Sequence, residues 1–308
     1  MKKAALEISF SWLFALIVGA FILFLAIYAV TKFTETEQTI SSAKTSKELG
    51  ILLNPLEISV ETGKTIPLAV PLETRIYNRC NNNFDDYEFG QQIIQTEEKS
   101  FNKWVITDID ARFENKYIFS ERFVEGRNFY LFSKPFKFPF KVTDLIYLTS
   151  AQENYCFVES PEAIEQELLD LGQANLFIEN CPENSISICF NNNNCDIKVN
   201  YLLGYVEKNN ERMHFETDAL MYAAIFASSE IYECQLQRVM QRLKNLALLY
   251  NGKAGFIARQ GCSSELYPYL TSLKTFANTY EDSEDLSRMI GVVDDIERKN
   301  DFADCKLW

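Results

Sequence analysis

The longest apolar run of the chain lies near its N-terminus. Between Ile8 and Val30 every residue is apolar, glycine or tyrosine apart from Ser9 and Ser11, and none is charged. About 20 apolar residues in a helix span a hydrocarbon core about 30 Å thick, so residues 8–30 predict a transmembrane helix. The run exceeds the roughly 7–15 apolar residues of a cleaved signal, and no Ala-x-Ala site follows it. We therefore expect a retained anchor that contacts membrane lipid.

A polar stretch follows the anchor. Residues 31–50 are rich in Thr, Ser, Glu and Lys, and their few apolar residues are too widely spaced to bury one face. A continuation of the membrane helix and a flexible linker both fit this composition. Residues 1–50 thus form an anchor and a stalk.

Short apolar runs of β type, separated by Pro, Gly and Asn, dominate from residue 51 to about residue 205. Such runs predict strands, and their number predicts a β-rich domain over residues 51–211. The clearest runs are Leu56–Val60, Ile66–Val70, Trp104–Ile109, Phe129–Phe132 and Lys141–Leu148.

One helix interrupts the strands. Ser160 is placed as its N-cap, Pro161 suits its first position, and Gly172 follows its last turn. Strand-like Tyr155–Val158 and Leu176–Ile178 flank it. The unit therefore predicts two parallel strands joined by a right-handed β-α-β crossover. The acidic turn before this helix carries no glycine-rich phosphate loop, which argues against a nucleotide cofactor.

Four asparagines, Asn191–Asn194, separate the next two strand-like segments, Ser185–Phe190 and Cys195–Tyr201. Asparagine tolerates the left-handed backbone of tight turns, so we expect a hairpin closed by a Cys189–Cys195 disulfide. A metal site that includes Cys181 is the alternative. The C-x7-C-x5-C spacing matches no common zinc motif, so we expect no metal.

From Thr217 onward the apolar spacing changes to about 3.6 residues, which is typical of helices. One long helix is predicted to Tyr250, with an interruption at Ser228 and Ser229 and a stop at Asn251-Gly252. Further helices are predicted over residues 264–280 and 283–299, the last with Ser283 as its cap. The apolar segment Ala219–Ala227 is half the length of a membrane span, so we assign it to the core or an interface. The fold class is α+β, with a helical domain over residues 212–308.

Charge and cysteine content indicate the compartment. The net charge of -13 disfavours nucleic acid as a partner, because like charges repel at long range. All eight cysteines follow the anchor, which favours disulfides in an oxidising compartment. Two lysines, Lys2 and Lys3, precede the anchor and one, Lys32, follows it, and the more basic flank of an anchor favours the cytoplasm. We therefore expect a cytoplasmic N-terminus and an extracytoplasmic C-terminal part.

Cys234 lies near the predicted buried face of the long helix. The turn at Asn251-Gly252 would let the chain reverse and bring Cys262 beside it. We therefore predict a Cys234–Cys262 disulfide between antiparallel helices, with Cys305 as the alternative partner.

Candidate catalytic groups are few. His214 is the single histidine, so a Ser-His-Asp or Cys-His arrangement would have to include it, and we assign it a structural or exposed position. Asp108 and Asp110 would share one strand face, with Glu114 beyond, and could bind Ca²⁺ or act as an acid/base pair. A solvated strand face is the favoured interpretation among 43 acidic residues, and it extends to the acidic groups at residues 85–88 and 281–285. No catalytic, cofactor or metal residue is assigned.

A basic and aromatic segment, residues 132–141, stands out in this acidic chain. Its prolines cannot donate ladder hydrogen bonds, which predicts a sheet edge. The aromatic rings would then either cover the core, the favoured interpretation, or meet a partner, which could be another copy, lipid headgroups or an extended peptide. The residues of this partner surface are Phe132, Lys134, Phe136, Lys137, Phe138 and Phe140.

The first 32 residues, Met1-Lys2-Lys3-Ala4-Ala5-Leu6-Glu7 followed by the apolar run, resemble the start of archaeal type IV pilin-like proteins. The resemblance implies a leader clipped after Lys3-Ala4, with Ala5 as the mature N-terminus. It also implies that Glu7 pairs with the amine of a neighbouring subunit. An ordinary signal anchor with two flanking lysines is the favoured alternative.

Three classes of function fit these observations. The first is a membrane-anchored structural or interaction protein at the cell surface, such as a pilin-like assembly subunit, and it is the one that we favour. The second is a surface binding module that uses residues 132–141. The third is an extracytoplasmic hydrolase that depends on carboxylates.

Overall fold

The computed structural model describes residues 12–33, 64–100, 103–106, 110–190, 194–262 and 265–308. Helix α1, Trp12–Phe33, has 22 residues, is long and apolar enough to cross a membrane, and has none of its most apolar stretch buried. The predicted N-terminal apolar helix is therefore confirmed from Trp12 onward. The leader residues Lys3, Ala4, Ala5 and Glu7, the stalk from residue 34 and the run Leu56–Val60 lie outside the described residues.

The first sheet, sheet A, is built from seven strands. Its order is β3-β2-β1-β6-β7-β5, and β4 also pairs with β2. Neighbours are antiparallel except β5 and β7, which are parallel. The strands are β1 Ile66–Asn81, β2 Gln91–Ser100, β3 Lys103–Ile106, β4 Ala111–Phe113, β5 Ile118–Phe119, β6 Phe123–Lys137 and β7 Lys141–Ser150.

Both faces of sheet A are buried at its centre. Ile146 and Leu148 of β7 belong to a cluster on one face, whereas Leu145 and Tyr147 belong to the main core on the other. This explains why β7 is a nearly continuous apolar run, since a strand covered on both faces shows no polar alternation.

The second sheet, sheet B, has the order β13-β12-β11-β10-β8-β9. Strands β8 and β9 are parallel and are connected by helix α2, so the predicted β-α-β unit is confirmed. The elements are β8 Tyr155–Val158, α2 Glu162–Leu171, β9 Leu176–Ile178, β10 Ile186–Cys189, β11 Ile197–Asn200, β12 Tyr205–Lys208 and β13 Glu211–His214.

The ends of α2 differ slightly from the prediction. Gly172 ends the helix in the left-handed conformation, as expected, with φ of 61°. Pro161 occupies the N-cap position, and the Ser160 hydroxyl donates to Glu165 Oε1 at 3.2 Å. The prediction of Ser160 as the N-cap is therefore wrong by one residue.

The predicted hairpin between β10 and β11 is wrong, because the two strands are parallel. Asp196 accepts hydrogen bonds from the backbone N–H and the hydroxyl of Ser187, at 2.8 and 2.7 Å. These bonds place the start of β11 beside the start of β10. Asp196 therefore lies beside β10 before β11 begins, and the predicted Cys189–Cys195 disulfide joins the end of β10 to the residue before Asp196.

The C-terminal part is helical, as predicted, and the interruption at Ser228 and Ser229 separates α3 from α4. The predicted stop at Asn251-Gly252 is wrong, since α4 continues to Arg259. Ala254 is buried and the Tyr250 ring contacts Trp308 beside this point, so tertiary packing outweighs the helix-breaking residues. Asp282 rather than Ser283 caps the next turn. The helices are α3 Asp218–Phe226, α4 Ser229–Arg259, α5 Tyr267–Asn278 and α6 Leu286–Asp301, preceded by a 3₁₀ turn at Ser283–Asp285.

All eight cysteines are paired. The disulfides are Cys80–Cys234, Cys156–Cys181, Cys189–Cys195 and Cys262–Cys305. The predicted bond from Cys234 to Cys262 or Cys305 is wrong, because Cys234 lies in the first turns of α4, which pack on sheet A. The continuation of α4 past Gly252 carries the chain away from Cys234 before it reverses.

The core is continuous across residues 211 and 212. Strand β13 spans this position, and α3 packs on β7 and β12. The hydroxyl of Tyr147 in β7 donates to the carbonyl of Ala219 in α3 at 2.8 Å. Sheets and helices therefore share one buried cluster.

Candidate functional site

A cleft of about 600 Å³ opens where the ends of the two sheets meet the junction of α3 and α4. Glu121 follows β5, Glu153 lies in the turn after β7, and Lys208 ends β12. Asn209 and Asn210 adopt positive φ angles of 54° and 66°, as a tight two-residue hairpin turn requires. This turn sets the position of Lys208 at the rim of the cleft.

Lys208 connects three elements. Its ammonium group donates to the carboxylate of Glu121 and to the carbonyl oxygens of Ile225 and Ala227, at 3.3 and 3.2 Å. The C-terminal carbonyls of a helix carry partial negative charge, which a cation stabilises. Lys208 therefore closes the end of α3 and neutralises Glu121.

Glu153 differs from the other carboxylates of the cleft. Burial raises the pKa of its carboxyl, a hydrogen bond from Tyr155 opposes this, and the charge of Glu121 raises the pKa further. The Tyr155 hydroxyl donates to Glu153 Oε2 at 3.1 Å. A carboxyl with a raised pKa can hold or donate a proton closer to neutral pH than an exposed one can.

The cleft carries excess negative charge. Glu121 pairs with Lys208, and Glu230 pairs with Arg122. Glu153 and Glu211 line the same cleft outside these two ion pairs, and the charge of Lys208 lowers the pKa of Glu153 only as the smallest of the opposing effects on it. The arrangement is therefore suited to a small ligand that carries positive charge.

The basic and aromatic segment forms the end of the β6–β7 hairpin. Among the described residues the β1–β6 pairing ends at Ile66 and Leu131, so Pro135 pairs only with β7 and costs no bond to β1. The four phenylalanines of the partner surface, Phe132, Phe136, Phe138 and Phe140, are buried in the main core.

The two lysines of this segment differ. Lys134 donates to Glu167 at 2.6 Å and lies over the Tyr222 ring, whereas Lys137 is exposed. The four rings therefore cover the core, and they do not form an exposed surface for a partner.

The other candidate catalytic and metal-binding residues predicted from the sequence do not form a common site among the described residues. The backbone N–H of His214 donates to the Ser283 hydroxyl at 3.0 Å, and its carbonyl accepts from Tyr232. Asp110 contacts Arg112 at 3.5 Å, and Asp108 lies outside the described residues. In the described ranges no group of three or more His, Cys, Asp or Glu side chains is placed to hold a metal ion.

A second perturbed carboxylate lies on α4. Burial raises the pKa of Glu233 to about 7, although a hydrogen bond from Ser283 opposes the shift. The backbone N–H of Ser283 donates to Glu233 at 2.9 Å. This interaction ties the first turns of α4 to the 3₁₀ turn before α6.

Sequence reasoning missed Glu121, Glu153 and Lys208. Glu121 and Lys208 are 87 residues apart in sequence. Nothing in the local sequence of the three residues distinguishes them from other surface charges. The Asn209-Asn210 turn was a usable signal for the position of Lys208. The positions of the two glutamates depend on how the sheets meet.

Comparison with known proteins assigns no family to this chain. No protein-family model, no curated protein and no solved structure matches it. The apolar helix, the disulfides and the cleft are therefore interpreted from their own chemistry.

Proposed function

We propose that this protein is a single-pass membrane protein whose residues 33–308 lie outside the cytoplasm and act as a structural or interaction domain at the cell surface. The observation that supports this best is the combination of α1 with four disulfides that use all eight cysteines. Disulfides persist in oxidising compartments and are rare in the cytosol. The lysines before α1 favour an N-terminus in the cytoplasm.

The placement is tested on intact cells. A membrane-impermeant amine reagent should label exposed lysines such as Lys137 before lysis, whereas a cytoplasmic control protein should be labelled only after lysis. Alkylation of the denatured, unreduced protein should find no free thiol. Labelling only after lysis, or eight free thiols, would refute the proposal.

The finer proposal is a pilin-like assembly subunit. It is supported only by the N-terminal resemblance, in which Ala5 becomes the first residue and Glu7 pairs with a neighbouring subunit. Mass spectrometry of the mature N-terminus tests it, because processing predicts Ala5 and an ordinary anchor retains Met1. Retention of Met1 would remove the pilin-like proposal and leave the membrane anchor intact.

A second candidate function is a binding module that uses the cleft at Lys208. The specific observation is the excess carboxylate charge of Glu153 and Glu211, which favours a small organic cation. Titration calorimetry with a diamine tests this. Glu153→Gln should weaken binding by about tenfold or more, whereas Glu297→Gln on α6 should not change it. No heat of binding, or equal affinity for both variants, would exclude the cleft as such a site.

A further inference from the structure

The turn between β11 and β12, Tyr201–Gly204, projects two leucines into solvent. We call it the tip. Leu202 is 94% exposed and Leu203 is 66% exposed. Two adjacent exposed leucines form a small apolar patch, which makes the tip a candidate contact surface.

Hydrogen bonds and a close backbone approach brace the tip. The backbone N–H of Leu203 donates to Asn200 Oδ1 at 2.9 Å, and the N–H of Phe215 donates to the Gly204 carbonyl at 2.7 Å. Gly204 has a φ of 64°, and a Cβ there would lie 2.6 Å from the Phe215 carbonyl oxygen. The leucines are therefore presented on a preorganised turn, which lowers the entropy lost on binding.

The surroundings of the tip are acidic. The Tyr201 hydroxyl donates to Asp218 Oδ1 at 2.9 Å, and Glu216 and Asp218 line the shallow cleft beside the tip. Burial and the nearby charge of Asp294 raise the pKa of Glu216. The tip thus combines apolar side chains with negative charge.

A second exposed apolar surface lies on the last three turns of α4. Leu248, Leu249, Gly252, Gly255 and Phe256 fall within about 120° of the helix circumference at 100° per residue, and we call them the α4 face. Leu248, Leu249 and Phe256 are 47%, 66% and 58% exposed. A Cβ at either glycine would meet nothing within 4 Å, so the two glycines leave a shallow groove between larger side chains.

The charge of this surface is opposite to that of the tip. From Leu243 to Arg259 the helix itself carries basic residues and no acidic one. Such a segment is unusual in a chain of net charge -13. Glu88, before β2, accepts a hydrogen bond from Asn245 in the first part of this segment, and Lys253 donates to the carbonyl of Leu307. The α4 face is therefore apolar, and the exposed Arg259 provides positive charge at its C-terminal end.

We propose that the tip of one copy binds the α4 face of a second copy, with Leu202 and Leu203 seated in the groove at Gly252 and Gly255. The carboxylates beside the tip would then approach Arg259. Each copy retains a tip and a face for another neighbour, so the contact is heterologous and continues into a ring or a chain.

The inference rests on the proposed function, because it requires several copies of the protein to be anchored in one membrane. The tip and the α4 face are small, and small interfaces alone are weak. Anchoring by α1 confines the copies to one surface and raises their effective concentration, which strengthens a weak contact.

Photocrosslinking of the full-length protein in membranes tests which surfaces meet. A photoreactive phenylalanine analogue at position 202 should give a dimeric adduct that maps to the peptide containing Leu248–Phe256. The same analogue at position 169 of α2, where Leu169 is 64% exposed, is the matched control and should give no such adduct. Adducts to lipid alone, or to the tip of the second copy, would overturn the proposal.

Assembly of the full-length protein in detergent gives an independent measurement. Leu202→Asp and Phe256→Asp should each weaken self-association by about tenfold or more in sedimentation, whereas Leu169→Asp should leave it unchanged. Glu216→Lys and Arg259→Glu should weaken it singly, and the double charge exchange should restore it. Equal assembly of Leu202→Asp and Leu169→Asp would refute the contact.

The two proposals fail separately. A monomeric protein that is labelled in intact cells would refute self-association and keep the extracytoplasmic placement. A protein labelled only after lysis would refute the placement, while the crosslink from position 202 to α4 would still be present.

Discussion

Cys234 of helix α4 is bonded to Cys80 of strand β1, with their Cα atoms 6.1 Å apart and a sequence separation of 154 residues. One turn later on the same helix, Arg238 donates to the backbone carbonyls of Phe89, Lys116 and Glu114, each at 2.9 Å. Helix α4 is thus held to sheet A covalently and by hydrogen bonds at successive turns.

Removal of this disulfide should be the most destabilising of the four disulfide deletions. In the chain-entropy model, a loop of 154 residues contributes about 5 kcal/mol to the free energy of unfolding, and a loop of 6 residues about 2 kcal/mol. We expect Cys80→Ala with Cys234→Ala to lower the urea midpoint clearly more than Cys189→Ala with Cys195→Ala does. Equal midpoints would show that the bond constrains an already ordered denatured chain.

Among the described residues Arg238 is the largest fully buried side chain, and burial lowers its pKa to about 10. Its guanidinium lies over the Tyr117 ring and also donates to Gln235 Oε1 at 2.6 Å. Arg238→Met would leave several buried carbonyls without a donor, so we expect a loss of about 3 kcal/mol or more in the free energy of unfolding.

Two further substitutions are compared with Arg238→Met, one conservative at the same position and one on the surface. Arg238→Lys should also destabilise, because an ammonium cannot reproduce the five fixed donors of a guanidinium. Arg298→Met on the surface of α6 should change stability by about 0.5 kcal/mol or less. A stable Arg238→Met variant would mean that water satisfies these carbonyls.

Much of the fold is encoded locally. The short β-type runs between Pro, Gly and Asn, the change to a period of 3.6 after Thr217 and the glycine at position 172 each act over a few residues, and they predicted the fold class and the β-α-β unit. The direction of β11 depends on Asp196 and its contacts with Ser187 nine residues earlier. No local turn rule includes that contact.

The difference between local signals and long-range contacts also explains why the predictions for Cys234 and Gly252 were wrong. An isolated Asn-Gly pair favours the end of a helix, but packing around Ala254 and Trp308 continues α4. Once the helix continues, the partner of Cys234 is decided by the docking of its first turns on β1. The cleft follows the same rule, since Glu121, Glu153 and Lys208 meet only when the two sheets are in place.

Glu233 makes stability depend on pH. Its pKa is about 7 in the folded protein and near 4.5 when unfolded. Between these values the folded state binds more protons at this group, so the contribution of Glu233 to stability is largest below about pH 4.5 and falls as the pH rises to about 7. The loss is up to about 3 kcal/mol at 1.36 kcal/mol per pKa unit.

Glu233→Gln should remove this slope and stabilise the protein above pH 7, since the amide oxygen can still accept from Ser283. Thermal unfolding at pH 5, 6, 7 and 8 measures it. Glu297→Gln on α6 is the control and should keep the wild-type slope. An unchanged slope in Glu233→Gln would place the titration on another group.

Lys208 should stabilise the junction of α3 and α4 through its bonds to Ile225, Ala227 and Glu121. Lys208→Met keeps the apolar stem but leaves two helix carbonyls and a carboxylate without their cation, so we expect a loss of about 1–3 kcal/mol. Lys198→Met is the matched control, because Lys198 pairs with Glu207 at 3.1 Å on the surface and such pairs contribute about 0–1 kcal/mol.

A double-mutant cycle separates the two roles of Lys208. Glu121→Gln in the Lys208→Met background should recover part of the lost stability, because it removes the unpaired charge and leaves the carbonyls of α3 uncapped. The coupling energy from urea unfolding should then be about 0.5–3 kcal/mol. Additive effects would mean that Lys208 contributes to stability only through the carbonyls at the end of α3.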